Sequence, residues 1–248
     1  MEIAYQPTFE RSETKYLLSA AQYETFLPIV SARLAPDMYP HSDIRNIYYD
    51  TPDFLLIRRS LSKPDFKEKL RLRTYCLPDD STPAYVEIKR KYSKTVYKRR
   101  FCLPYTEALS FMSGQNVGGN EWKQIRREVS YALNFYGGIR PAMKLIYKRD
   151  SFATKDEPGG VRITFDSDIQ WSARDTDLRR EAAMNPLLCQ GQKLMEIKCA
   201  GAMPMWLTRA LCEIRAIPAS FSKYGRAYST LIEANGFRLP TLDGAGIG

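Results

Sequence analysis

The sequence is poor in the residues that many enzymes use for acid–base and metal chemistry. Histidine occurs once in 248 residues, as His41 between two prolines. A single histidine excludes sites built from several histidines, and the sequence indicates no Ser/His/Asp or Cys/His set around it. Neither G-x-x-x-x-G-K-[ST] nor G-x-G-x-x-G is present. A P-loop enzyme is therefore not expected.

Two further absences concern the cellular compartment. The five cysteines are odd in number, widely spaced and without a C-x-x-C pair, so we expect free thiols in a reducing compartment. No apolar run approaches the ~18 residues that span a bilayer, and Met1–Pro7 is not a signal peptide. We expect a cytoplasmic protein with no transmembrane segment of its own, which could still dock on a membrane partner protein.

The charge balance predicts an anionic partner. The net charge is +9 and the pI is about 9.3, which suits nucleic acid, acidic lipid or phosphate compounds. An apolar fraction of 44% and an aromatic fraction of 12% are those of a folded protein. No linker divides the chain, so a single domain is expected over 1–248, with its core at 9–236 and a frayed tail at 237–248.

One stretch, Phe66–Tyr75, alternates strictly between cations and other residues. Because successive side chains of a strand point to opposite faces, one face would carry four cations and the other would be largely apolar. The four cations are Lys67, Lys69, Arg71 and Arg73. Alternatively, this is an edge strand whose charges prevent aggregation.

The pattern recurs, and the recurrence favours a shared basic surface. Related alternation is found in Phe9–Tyr16, Tyr85–Lys91, Val96–Cys102, Val161–Asp168 and Leu194–Cys199. About eight strands, mostly joined as hairpins, and four or five helices are predicted. Eight strands close into a barrel that just holds side chains or one small ligand. We therefore predict an α+β fold: a closed antiparallel eight-stranded β-barrel with a basic lumen and flanking helices.

Two predictions concern prolines at element ends. Pro36 and Pro40 are expected to break the first helix, so that the next strand begins at Ile44. Thr51 and Pro52 are expected to begin a short helix.

The polar faces of these strands also carry carboxylates. Any single one is expected to balance a neighbouring cation, whereas the set offers hard oxygen ligands for Mg²⁺ or Mn²⁺ shared with substrate phosphates. The candidate metal ligands are Glu196, Glu13, Glu87 and Asp166. Glu196 is the best of them, because Met195 and Ile197 anchor its strand in the core.

The cations of the same faces are candidates for binding phosphate oxygens. They are Lys15, Lys69, Arg71, Arg73, Lys89, Lys98, Arg100, Arg149 and Lys198. A nucleic-acid surface is the alternative, but RNA-binding proteins interleave exposed aromatics with their cations. Here the aromatics mostly fall on the opposite faces, so no nucleic acid is expected.

Nine short motifs along the chain resemble the polyphosphate polymerase domain of the vacuolar transporter chaperone (VTC) proteins, in the triphosphate tunnel metalloenzyme superfamily. The resemblance extends from about Phe9 to Gly236. In order, the motifs are Phe9-Glu10-Arg11 with Lys15-Tyr16, Tyr48-Tyr49-Asp50-Thr51, Leu70-Arg71-Leu72-Arg73, Val86-Glu87-Ile88-Lys89, Lys98-Arg99-Arg100-Phe101, Lys148-Arg149-Asp150-Ser151-Phe152, Val161-Arg162-Ile163-Thr164-Phe165-Asp166, Met195-Glu196-Ile197-Lys198 and Phe221-Ser222-Lys223-Tyr224.

The resemblance implies a tunnel that holds a triphosphate or polyphosphate, a divalent metal on Glu196, and a stand-alone module of the kind found in bacteria. It implies phosphate-binding and catalytic positions at Lys15, Arg71, Arg73, Lys89, Lys98, Arg149 and Lys223, and a further arginine at Arg58 or Arg59. Two departures stand out. Arg11 replaces the first carboxylate of the superfamily's E-x-E-x-K signature, and Ala219 or Ser220 stands where a second lysine is expected.

The leading hypothesis is an ATP-dependent polyphosphate polymerase that uses Mn²⁺ or Mg²⁺ and acts on ATP or another triphosphate and on polyphosphate or pyrophosphate. Phosphoryl transfer depends mainly on positioning and electrostatics, so no protein nucleophile is required. A triphosphatase and a non-catalytic polyphosphate- or nucleotide-binding module are the alternatives. An RNA-binding β-barrel is a more distant one.

Overall fold

The computed structural model describes residues 11–93, 95–119, 121–155, 160–180 and 184–236. Two predicted features lie outside the described residues: the start of the first strand at Phe9 and the tail at 237–248.

The described residues form an antiparallel sheet with helices packed against it. The strands are β1 Arg11–Leu18, β2 Ala35–Asp50, β3 Phe66–Thr74, β4 Pro83–Tyr92, β5 Thr95–Pro104, β6 Arg140–Ala153, β7 Arg162–Ser172, β8 Asn185–Pro186 and β9 Lys193–Ala200. The helices are α1 Ala20–Ser31, α2 Leu55–Leu61, α3 Tyr105–Met112, α4 Lys123–Tyr136, α5 Met205–Glu213 and α6 Lys223–Ala234.

Most element positions follow the sequence pattern, and two do not. β2 begins at Ala35 and runs through Pro36 and Pro40, instead of beginning at Ile44 as predicted. α2 begins at Leu55 and not at Pro52, because Phe54 takes a left-handed conformation at φ 58°. The Thr51 hydroxyl still accepts a hydrogen bond from the Leu55 amide, at 2.9 Å.

The chain folds as two compact units, each drawn from three stretches of sequence. The first unit comprises Met1–Ile44, Ile146–Ile169 and Leu188–Phe221; the second comprises Arg45–Leu145, Gln170–Leu187 and Ser222–Gly248. Neither unit is therefore a contiguous segment.

In the first unit, β9 pairs antiparallel with β1 and with β7. One face of these strands is apolar and packs with side chains of α1 and α5 in a core that includes Phe26, Phe165, Met195, Ile197 and Leu207. A capping box between Ser19 and Gln22 fixes the start of α1. The opposite face of β1 and β9 carries the polar residues.

In the second unit, β3, β4 and β5 form an antiparallel meander, and β2 pairs with β3. The apolar face packs against α3 and α4 in a core that includes Ile47, Leu70, Leu72, Val86 and Phe101. The other face of β3 and β4 is basic.

Buried Asp50 links two helices of the second unit to the end of β2. Its carboxylate accepts hydrogen bonds from the Leu56 amide at 2.8 Å, the Ile57 amide at 3.0 Å and the Tyr224 hydroxyl at 2.7 Å. Asp50 thereby holds the first turn of α2 and the first turn of α6.

The sheet is open, which corrects the predicted closed barrel. Its strand order is β1-β9-β7-β6-β2-β3-β4-β5, with β8 paired to β7. In the described ranges the order ends at β1 and β5, and the first six residues of β5 are exposed. Alternation predicts which residues share a face, but closure also depends on strand tilt and stagger, which a local pattern does not carry.

Within the described chain, no helix has the length and apolar character that crossing a membrane would need.

Candidate functional site

The polar face of the first unit carries two carboxylates and two lysines on neighbouring strands. The pairing of β1 with β9 sets Lys15 opposite Glu196 and Glu13 opposite Lys198. We call these four residues the Glu196 cluster. Lys198 Nζ lies 2.8 Å from Glu196 Oε1, and Lys15 Nζ lies 3.2 Å from Glu13 Oε1 and 3.9 Å from Glu196 Oε2. The cluster therefore interleaves opposite charges.

Glu196 is ionised at neutral pH. Burial acts to raise the pKa of its carboxyl, but Lys198, Lys15 and Arg149 outweigh burial and lower the pKa to about 2. Its side chain is 12% exposed. The structure thus places a permanently charged, largely desolvated carboxylate among cations.

Arg149, also in the first unit, is held rigidly. Its guanidinium donates two hydrogen bonds to Asp166, from Nε at 2.6 Å and from Nη2 at 2.8 Å. Burial acts to lower the pKa of Arg149, but Asp166 and the other acidic groups raise it overall, so the cation is permanent. Such a bidentate pair fixes the plane and position of the guanidinium.

The predicted four-carboxylate metal site is not preformed. Both oxygens of Asp166 accept from Arg149, and Glu87, in the second unit, pairs with Arg71 and Lys98. Over the residues the structure describes, no three or more His, Cys, Asp or Glu side chains converge to hold a metal ion. Glu13, Glu196 and Asp166 share one face of β1, β9 and β7, and both oxygens of Asp166 are taken by Arg149.

The second unit carries the larger group of cations, which we call the cationic face. It is formed by one side of β3, β4 and β5: Lys67, Lys69, Arg71, Arg73, Lys89, Lys91, Lys98 and Arg100. The predicted alternation of β3 is confirmed, since Leu70 and Leu72 are buried on the opposite side.

Three lysines of the cationic face lie side by side on adjacent strands. Lys69 is directly opposite Lys89, and Lys89 is directly opposite Lys98. We call these three the lysine row. Like charges directly opposite each other destabilise a sheet, so the row has a cost that a bound anion would remove.

A single buried carboxylate, Glu87, lies within the cationic face. It pairs with Arg71, and its Oε1 lies 2.7 Å from Lys98 Nζ. Burial acts to raise the pKa of Glu87, but Arg71, Arg73 and Lys98 lower it to about 2. Glu87 is therefore a fixed counter-ion that orients Arg71 and Lys98.

The start of α6 lies beside the lysine row. Lys69 Nζ donates to the Ser222 hydroxyl at 3.0 Å, and Ser222 caps α6 by accepting from the Gly225 amide. Lys223 is the first residue of this helix. The predicted phosphate-binding residue Lys223 therefore follows directly on a residue that contacts the cationic face.

The two arginines of α2 have other neighbours. Arg58 pairs with Asp53 and donates from Nε to the Asp53 carbonyl at 2.8 Å. Arg59 is close enough to Tyr136 to lower the pKa of that phenol, which burial and Glu68 nonetheless raise to about 12. Their phosphate contacts stay predictions.

Sequence reasoning missed three tyrosines that share the side of the cations. Tyr48 lies opposite Arg71, Tyr85 lies opposite Arg73, and Tyr75 packs edge-to-face on Tyr85. The signal was present, because Tyr85 is two residues from Glu87 and Tyr75 is two from Arg73. The prediction that aromatics lie mostly opposite the cations is therefore wrong at this end of the sheet.

Comparison with known proteins identifies the family. The family model described as the VTC domain matches residues 10–232. The chain therefore belongs to the VTC domain family, which confirms the resemblance carried by the nine motifs.

A curated relative supports the same assignment. Vacuolar transporter chaperone complex subunit 4 of Trypanosoma brucei brucei is 24% identical over 279 residues, covering 90% of this chain and 34% of that protein. The chain thus spans about a third of that relative's length.

A solved structure shares the fold at low identity. A candidate adenylate cyclase from Vibrio parahaemolyticus superposes with a TM-score of 0.51 at 14% identity, covering 90% of this chain and 99% of that one. Another candidate adenylate cyclase, from Bacillus halodurans, has a TM-score of 0.49 at 15% identity, covering 85% and 92%.

Proposed function

We propose that this protein carries out metal-dependent phosphoryl transfer, and specifically that it lengthens inorganic polyphosphate with the γ-phosphoryl group of ATP. Membership of the VTC domain family supports a polyphosphate-related role. The observation that carries the proposal is the lysine row, with Lys69, Lys89 and Lys98 directly opposed on adjacent strands.

The cationic face suits a chain of phosphates better than a single phosphate. Its cations occupy alternate positions along β3, and further cations of the same face lie on β4 and β5. Arg71, oriented by Glu87, can bind two phosphate oxygens at once, whereas the lysines act as point charges. Fixed cations of this kind neutralise the charge that develops on a transferred phosphoryl group, which is the main requirement of this chemistry.

The first unit offers a place for the metal. Glu196 is ionised, and the hydroxyl of Thr164, directly opposite it on β7, is buried with no hydrogen-bond partner among the described residues. Such oxygens fit a hydrated Mg²⁺ or Mn²⁺ ion, which proteins usually bind through one or two carboxylates together with substrate phosphates. Glu196 would hold the ion, with Glu13 as a second carboxylate. The ion would neutralise phosphoryl oxygens.

A non-catalytic binding module is the second candidate. It is favoured by the lack, within the described residues, of a converging set of three metal-ligating side chains. In that case polyphosphate or a nucleotide would bind the cationic face without turnover. A membrane partner protein and a cytoplasmic location remain expectations for either function.

The products formed from ATP and Mn²⁺ distinguish the candidates. We expect the purified protein to give a ladder of polyphosphate on a stained gel, and Glu196→Gln to lose the metal-stimulated part of this activity. The matched control is Glu213→Gln, because Glu213 is an exposed carboxylate on α5 of the same unit. If free phosphate forms without polyphosphate chains, the activity is that of a triphosphatase and not of a polymerase. If no product forms but polyphosphate still raises the melting temperature of the protein, the binding module is established.

A further inference from the structure

One end of the cationic face is aromatic. The rings of Tyr75 and Tyr85 meet edge-to-face, with centroids 5.6 Å apart and an interplanar angle of 81°. The Arg100 guanidinium lies 5.1 Å from the Tyr85 centroid, and that of Arg73 lies 5.9 Å from the Tyr75 centroid. Tyr75 is 38% exposed, so part of the residue is open to a ligand.

The strand register places this aromatic pair in line with the phosphate-binding cations. Tyr85 is opposite Arg73, and Glu87 comes two residues later, opposite Arg71 on one side and Arg100 on the other. Two residues further along is the lysine row. The cationic face therefore runs from aromatic rings, through arginines, to lysines.

The length of this progression matches a nucleotide. Tyr85 and Lys89, the middle residue of the lysine row, are four residues apart on β4, which corresponds to about 13 Å at the rise of a β-strand. An extended nucleoside triphosphate has a similar length from its base to its terminal phosphate. A base at Tyr75 and Tyr85 would thus leave the terminal phosphate near the lysine row.

We propose that Tyr75 and Tyr85, with Arg100, form a binding site for the base of a nucleoside triphosphate whose terminal phosphate lies at the lysine row. This rests on the proposed function, in that the cationic face binds phosphates. The base stacks on the exposed ring of Tyr75, and the arginine adds a cation–π contact. Every base has a π-face, so adenine and guanine nucleotides should bind with similar affinity. Inorganic tripolyphosphate has no base and makes no use of the site.

Calorimetric binding of two probes tests the proposal. The probes are the non-hydrolysable imido analogue of ATP and inorganic tripolyphosphate, each with Mg²⁺. In Tyr75→Ala we expect the affinity for the imido analogue to fall about 5- to 100-fold, the range for loss of one stacked base, and tripolyphosphate to bind within twofold of the wild type. Tyr75→Phe retains the ring and should retain the affinity.

The controls separate a base site from a general effect. Tyr131 is an exposed tyrosine on α4 in the same unit, and Tyr131→Ala should change neither affinity. Lys89→Ala should weaken both probes, because it removes a phosphate contact. A Tyr75→Ala/Tyr85→Ala protein that stays folded and binds the imido analogue as tightly as the wild type overturns the base site.

Two other results also overturn it, and they separate it from the proposed function. If Tyr75→Ala weakens the affinity for both probes by the same factor, the tyrosines support the phosphate contacts and do not bind a base. The wild type could instead bind tripolyphosphate and bind the imido analogue no more tightly than tripolyphosphate. In that case the base site fails, and the phosphate-binding face stands. If the wild type binds neither probe, both proposals fail.

Discussion

Tyr48 and Arg71 face each other across β2 and β3, and the Tyr48 hydroxyl accepts a hydrogen bond from Arg71 Nη1 at 3.3 Å. Burial acts to raise the pKa of this phenol, but Arg71, Arg73 and Lys69 outweigh burial and lower it to about 8. The ring also stacks on Tyr224, with centroids 4.5 Å apart. Tyr224 in turn donates to the Asp50 carboxylate at 2.7 Å. A buried tyrosine thus reports on the charge of the cationic face.

The first expected outcome concerns stability without a ligand. The folded-state pKa of Tyr48, about 8, is below the ordinary value of 10.0, so between these two pH values the unfolded chain binds more protons than the folded one. This residue therefore adds stability as the pH rises from 8 to 10, by roughly 2–3 kcal/mol at most. Urea unfolding at several pH values gives the free energy of unfolding of the wild type and of Tyr48→Phe. The value for the wild type should increase relative to that of the variant as the pH rises from 8 to 10. A difference that does not change with pH would show that the phenol does not ionise in this range.

The second prediction concerns phosphate binding, which should weaken as the pH rises, whereas the stability of the free protein increases. A phosphate bound beside Arg71 adds negative charge, which disfavours the phenolate and raises the pKa of Tyr48. Binding above pH 8 must then take up a proton, so the affinity for tripolyphosphate should fall by up to about tenfold per pH unit. Titration calorimetry of Tyr48→Phe gives the comparison, because that variant lacks the ionising group. Parallel pH profiles for the two proteins would place the bound phosphate away from Tyr48.

The third concerns the lysine row. Lys89→Ala removes the middle lysine, so we expect weaker binding of tripolyphosphate and a smaller salt dependence of that binding. The same change relieves two like-charge neighbours and should raise the free energy of unfolding by about 0.2–1 kcal/mol. Lys123→Ala, an exposed lysine on α4, is the matched control and should alter neither quantity. A destabilised Lys89→Ala with unchanged affinity would mean that the row is structural.

The fourth concerns the buried bond between Tyr224 and Asp50. Tyr224→Phe leaves the ring in place but removes the hydroxyl that donates to the Asp50 carboxylate at 2.7 Å. Loss of a buried hydrogen bond to a charged group should cost about 1.5–3 kcal/mol of stability, measured by chemical denaturation. Tyr131→Phe, on the surface, should cost nothing measurable. A stable Tyr224→Phe would show that Asp50 is sufficiently satisfied by the α2 amides.

The sequence was most informative where the signal is local. Alternation at a period of two predicted the cationic side of β3 and the buried side of Leu70 and Leu72, because opposite orientation of successive residues is a property of any strand. The same rule applied to Glu196, whose neighbours Met195 and Ile197 are buried.

Longer-range features were not predictable in the same way. Nothing in the alternation of β1 or β5 indicates whether the sheet closes, since closure depends on the stagger of every strand. The pairing of Asp166 with Arg149 and of Glu87 with Arg71 depends on which strands are neighbours. For that reason the sequence indicated which face each carboxylate lies on, but not that Arg149 holds Asp166 or that Arg71 holds Glu87.

The same limitation explains why Tyr48 was missed. Tyr48 lies on β2, and its place opposite Arg71 depends on the register of β2 against β3. Register is set by the whole hydrophobic pattern and the connecting segments, and not by the residues that meet.

The most direct test of phosphoryl transfer follows a labelled phosphorus atom. The purified protein would be incubated with Mn²⁺ and ATP carrying the label at either the γ or the α position, and the products separated by size. The account predicts that the γ label enters long chains whereas the α label stays in the nucleotide, and that Glu196→Gln abolishes this incorporation. Recovery of all the γ label as free phosphate or intact ATP would contradict it.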